Sequence, residues 1–132
     1  MKRLLKATLL ATGLLLTANS ASAQDFRATP AYQRDLTELT RVLGQIHAIR
    51  VICNGTADQT WRNYMLNLLD VEAPGASYRR SQLIETFNST YLGFQANRPR
   101  CDSSLTEQEA DLYMRGQSLT DQLSIRAAGD TP

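Results

Sequence analysis

The chain has 132 residues, 42% of them hydrophobic and 20% charged, with fourteen Lys and Arg against thirteen Asp and Glu. Three of the cations, Lys2, Arg3 and Lys6, precede the first acid at Asp25, so the chain beyond residue 23 holds eleven arginines against thirteen acids, a net charge of −2. A slightly acidic domain without a concentrated basic face excludes a general binder of nucleic acid or of anionic membrane surfaces.

The first 23 residues read as a signal peptide. Lys2, Arg3 and Lys6 make a basic start, and Leu4 to Ala18 carries no other charge and is rich in leucine and alanine. Thr12, Gly13 and Thr17 interrupt this run, which is also shorter than the ~20 apolar residues a membrane span needs. Ala21-Ser22-Ala23 is a small-x-small cleavage box, so cleavage is expected after Ala23, giving an exported protein with no stable membrane span. Residues 24–29 form a polar segment ahead of the domain.

Thr29-Pro30 starts the first helix, with threonine as N-cap and proline at the first helical position, where a missing donor costs nothing. Leu36, Leu39, Leu43 and Ile46 recur at spacings of three and four, widened by Val42 and Ile49, and Arg34, Glu38 and Arg41 fall on the opposite side. Asn54-Gly55 closes this helix near Cys53. A second helix is expected from Asp58 as N-cap to Pro74-Gly75, with Trp61, Met65, Leu68 and Leu69 inward. A third starts at Ser77 and turns Leu83, Ile84, Phe87, Tyr91 and Phe94 inward until Pro99 breaks the pattern. A fourth opens on the capping box Ser104-Leu105-Thr106-Glu107 and continues through Leu112, Leu119 and Leu123, with Gly116 offering a close approach. The domain is thus expected over residues 30–126, with Ala127–Pro132 a frayed tail.

No segment alternates at period two, no repeat is present, and no linker is long enough to separate domains. The fold class is all-α: a small four-helix, up-down-like bundle. Short connections favour antiparallel neighbours, which brings the ends of helices one and three to one pole. Cys53 and Cys101, the only cysteines, lie at those two ends. In an exported chain they are expected to form a disulfide. With one histidine and no C-x-x-C spacing, they do not make a metal or redox set, and no cofactor motif occurs.

His47 is the only histidine. A general base needs mutually positioned partners, and the sequence offers neither a nucleophile elbow nor an acid at triad spacing, so no catalytic residue is assigned. Arg50 falls on the apolar stripe, where a guanidinium must be paired or face a polar pocket. Asp58 lies four residues before Arg62, the favourable order for an intrahelical pair. Trp61, Tyr91 and Phe94 either belong to the core or gather with His47 and Arg50 near the disulfide pole, where aromatic and cationic groups could hold a sugar, a carboxylate or a partner's side chain. The sequons at Asn54 and Asn88 are read as helical residues, and Glu107, Glu109 and Asp111 as acids favoured by a helix N-terminus.

Leu43-Gly44, His47, Arg50, Cys53, Trp61-Arg62, Met65, Leu68-Leu69, Glu72-Ala73-Pro74, Phe87-Asn88, Tyr91, Gly93-Phe94 and Cys101 together resemble a family of small exported alphaproteobacterial proteins known only as a domain of unknown function. The resemblance spans about Tyr32 to Cys101 and implies a Gram-negative, periplasmic setting without supplying an activity. It singles out His47, Arg50, Trp61, Arg62, Asn88 and Tyr91 as ligand- or partner-binding candidates. The reading of the whole is a non-enzymatic periplasmic accessory or interaction protein that meets an envelope protein. A binder of a small anionic cell-wall or lipid fragment is the alternative, and a His47-dependent hydrolase comes last.

Overall fold

The structure, a computed structural model, describes residues 25–129. The expected signal peptide, Gln24 and residues 130–132 lie outside the described residues. A single 3-10 turn, Phe26–Ala28, leads into α1 (Pro30–Asn54), α2 (Thr60–Glu72), α3 (Tyr78–Asn97) and α4 (Ser103–Gly129), with no strand among the described residues. Ala127, Ala128 and Gly129, which the sequence pattern places in a frayed tail, continue α4.

Each helix starts where local chemistry supplies an acceptor. The Thr29 hydroxyl accepts from the Tyr32 amide at 3.4 Å ahead of Pro30, and the Ser77 hydroxyl accepts from the Arg80 amide at 3.1 Å. Two expected caps are corrected. In α4 the cap is Asp102, whose Oδ1 accepts from the Leu105 amide at 3.1 Å and from the Ser104 hydroxyl at 2.6 Å, so Ser104 is already helical. In α2, Asp58 sits two residues before Thr60, yet its Oδ1 still accepts the Thr60 amide at 3.2 Å. Gly55 ends α1 at φ 92°, a conformation that favours glycine, and donates to the Val51 carbonyl at 2.8 Å.

The connections, residues 55–59, 73–77 and 98–102, are five residues each, so successive helices alternate in direction. The arrangement is a four-helix bundle with α1 at its centre: α1 lies along α3 and α4, less extensively along α2, and the outer three have little contact with one another. Burial follows that geometry. Twelve residues of α1 are buried, against two on α2, two on α3 and four on α4. The expected stripes Leu36/Leu39/Leu43/Ile46 and Leu105/Leu112/Leu119/Leu123 form the core, and each such side chain contributes about 1.5–3 kcal/mol of burial free energy. Ile84 departs from expectation: it is 38% exposed, because the inner face of α3 runs through Leu83 and Phe87.

At one pole Cys53 and Cys101 form the expected disulfide, with Cα atoms 5.0 Å apart, tying the end of α1 to the segment after α3. At the other, a polar cluster joins the N-terminal turn to three helices. The Tyr32 hydroxyl donates to Glu72 at 3.0 Å, Arg27 reaches the same carboxylate at 3.4 Å, and Arg79 Nη2 faces it at 3.8 Å. Burial, then the bond to Glu72, pushes the Tyr32 phenol up to about 12. Between the poles, Gly44 sets the approach of α1 to α3, because a Cβ there would lie 2.8 Å from the Phe87 carbonyl oxygen.

Candidate functional site

Because α2 and α4 flank α1 without closing on each other, a cleft of about 500 Å³ lies between them. Its floor is the α1 stripe Leu39, Val42, Leu43 and Ile46, and its walls are Trp61 and Tyr64 of α2 and Tyr113, Gln117, Thr120 and Asp121 of α4. A shallower depression continues from it past Glu109 and Met114, sharing Ile46, Trp61 and Tyr113.

The floor residues are at most 3% exposed, so the accessible apolar surface belongs to the walls: Tyr64 is 45% exposed, Tyr113 47% and Met114 64%. The three rings form a chain across the gap. Trp61 and Tyr64 have centroids 5.8 Å apart at 59°, and Trp61 and Tyr113 6.3 Å apart at 68°, both tilted contacts of the kind aromatic quadrupoles favour. Tyr64 and Trp61 share one helix face at i, i+3 spacing, whereas the Tyr113 contact joins α2 to α4.

The residues singled out from the sequence do not form one site. Trp61 belongs to the cleft. His47 faces α3, its ring stacked on Phe87 at 5.6 Å and on Tyr91 at 4.9 Å. It is 3% exposed, and its Nδ1 is buried without a hydrogen-bond partner. Burial lowers its pKa below the usual histidine value, Arg62 lowers it further and Asp58 opposes them, so the ring is neutral near pH 7. No hydroxyl or carboxylate hydrogen-bonds to it among the described residues.

Arg50 is saturated. Its Nε donates to Asp58 at 3.0 Å and Nη1 to Glu109 at 3.5 Å, so it ties α1 to the α2 entrance and to α4. This is the paired arginine that its place on the stripe requires. The Asp58 carboxylate also accepts from Asn54 Nδ2 at 2.9 Å, and these bonds, led by Asn54 and Thr60, hold its pKa well below the usual carboxylate range. The expected Asp58–Arg62 pair is absent among the described residues, because the carboxylate turns back onto α1 and leaves Arg62 exposed. Asn88 is exposed on the outer face of α3, and Tyr91 is half-buried against His47. The gathering of Trp61 with Tyr91, His47 and Arg50 does not occur, since Trp61 turns toward α4 and Tyr91 packs between α1 and α3.

Tyr64, Tyr113 and Asp121 of the cleft and Met114 of the adjoining depression carry no signal in the sequence pattern. Tyr113 is adjacent to Leu112 on α4 and therefore lies off the leucine stripe, where periodicity alone assigns an exposed position. No helix among the described residues is long and apolar enough to cross a membrane, and no group of three or more His, Cys, Asp or Glu is placed to hold a metal ion.

Residues 31–127 match the model of the family described as protein of unknown function (DUF2385), and the chain belongs to that family. No curated protein and no solved structure matches the chain.

Proposed function

We propose that this member of the family is a non-enzymatic accessory protein of the periplasm, and that it docks a segment of an envelope protein in the cleft between α2 and α4. The observation that carries this reading is the bridged aromatic row Tyr64–Trp61–Tyr113, half-exposed over an apolar floor. Tyrosine and tryptophan supply interface hot spots, because they bring large contact area with little conformational entropy to lose, and methionine is enriched at interfaces beside them. The basic, apolar and small-residue regions of residues 1–23, together with two cysteines in a chain suited to an oxidising compartment, support export. A small anionic ligand has weaker support, since no Lys or Arg among the described residues lines the cleft and Arg50 already holds two carboxylates.

The test is site-specific photocrosslinking in intact cells, with a photoreactive residue placed at Tyr113 or, as a control on α3, at Leu92. A discrete adduct from Tyr113 that disappears with Trp61→Ala, without one from Leu92, supports the reading. Equal labelling from both positions, or an adduct indifferent to Trp61, refutes it.

A further inference from the structure

The charge of the cleft goes further than its apolarity. Among the described residues two acids line the cleft and the depression that continues it, Asp121 in the first and Glu109 in the second, and no Lys or Arg lines either. Glu109 is engaged by Arg50. Asp121 has no ion-pair or hydrogen-bond partner among the described residues, and it is exposed. Arg41 and Arg115 pair with Glu38, and Arg126 with Asp35. Asp121 is twelve residues from Glu109 along α4, about 18 Å at 1.5 Å per residue, so it stands at the far end of the cleft from the Arg50 network.

An uncompensated carboxylate at one end of a cleft lined by one tryptophan and two tyrosines is a combination that attracts a segment carrying an organic cation. Aromatic faces attract it through their quadrupoles, most strongly for tryptophan, and the carboxylate adds direct charge. The rings are tilted by 59° and 68° rather than stacked flat, so this row offers faces as well as edges to a group lying in the cleft. The apolar floor suits the aliphatic stem that an arginine or lysine carries below its charged head. We infer that the docked segment places an arginine or lysine side chain in this cleft, its head on Asp121, with apolar neighbours along the row Tyr64, Trp61 and Tyr113 and against Met114. This deepens the docking proposal and rests on it.

Trp61 is the only tryptophan, so its fluorescence reports the cleft without a label. The experiment titrates the disulfide-bonded protein, purified from periplasmic expression, with the capped peptide Leu-Leu-Arg-Leu and with the same peptide carrying citrulline, which keeps the shape of arginine and loses its charge. The arginine peptide is expected to change Trp61 emission saturably, to bind at least about fivefold more tightly than the citrulline peptide, and to weaken as salt screens the charge. Asp121→Asn is expected to remove that preference and Asp121→Glu to restore it, with circular dichroism confirming that both fold. Equal binding of the two peptides, or an arginine preference that survives Asp121→Asn, overturns the cation inference while leaving an apolar docking cleft in place. Absence of any peptide response also overturns it, and the Tyr113 crosslinking experiment then decides separately whether the docking proposal stands.

Discussion

Alanine at Gly44 is a stringent test of how α1 and α3 meet. The added Cβ would lie 2.8 Å from the Phe87 carbonyl oxygen and 3.1 Å from Thr90 Cβ. The first of these is backbone inside a helix and cannot rotate away, so the two helices must separate by several tenths of an ångström. Overpacking of this kind costs about 1–3 kcal/mol, and a backbone clash belongs at the upper end, near 3. Alanine recovers about 1 kcal/mol over glycine in helix propensity, leaving a net loss of roughly 2 kcal/mol. At about 2.1 cal/mol/K of unfolding entropy per residue, a domain of this size melts roughly 9 °C lower. The same change at Gly116 is the control: its Cβ would meet Val42 Cγ1 at 3.5 Å, an ordinary contact, so the propensity gain remains and Tm rises by up to about 4 °C. Thermal unfolding followed by circular dichroism at 222 nm measures both. A Gly44→Ala protein that melts at or above the parent refutes the close approach.

Other outcomes follow from the same geometry. His47 is held neutral in the fold, so the unfolded chain takes up a proton first as pH falls; stability is full above about pH 6.5 and declines below it. Because it is the only histidine, the decline of the urea midpoint between about pH 7 and 5 should flatten in His47→Phe, and an unchanged slope would contradict the buried neutral ring. Reducing Cys53–Cys101 is expected to cost about 2–4 kcal/mol, a fall of roughly 9–18 °C in Tm with reductant, and no fall would show that the bridge constrains little. Arg50→Ala should lower stability by no more than about 1 kcal/mol, since its pairs are partly exposed, and should leave Tyr113 crosslinking intact; loss of the adduct would return Arg50 to the binding surface.

Where local chemistry decides, the sequence was legible. Thr29-Pro30, Asn54-Gly55 and Ser77 act within a few residues of themselves, and the caps and stops they imply are present. The leucine stripes of α1 and α4 were readable for the same reason, and the disulfide agreed with a topology inferred from loop lengths alone. At α4 the expected cap gave way to a neighbour: Asp102 reaches the Leu105 amide and binds the Ser104 hydroxyl as well, whereas Asp58 keeps an amide of α2 but stands one residue before the cap position. Asp58 could be assigned to Arg62 by spacing, but a contact from α1 prevailed, and periodicity has no means of weighing a residue on another helix.

The candidate site was less legible still. Helical periodicity says which side chains face a neighbour, but not which neighbour. Of the candidates, His47 of α1 and Tyr91 of α3 stack on each other, whereas Arg50 meets the pole carboxylates and Trp61 turns to α4. The central position of α1 is the reason. A helix surrounded by three others distributes its near-neighbours around its whole circumference, so residues three apart, such as His47 and Arg50, can serve separate contacts. It is also why the cleft exists: α2 and α4 both rest on α1 and meet each other only through the Trp61–Tyr113 contact and little else.

The docking proposal is tested most directly by the environment of Trp61 in the complex. With the partner identified by crosslinking and purified, acrylamide quenching of the single tryptophan is measured in the free protein and in the complex. The account expects a blue-shifted emission and strong protection from quencher, both abolished when Tyr64 and Tyr113 are replaced by alanine. A stable complex in which Trp61 remains as accessible as in the free protein would contradict it and place the interface on another face.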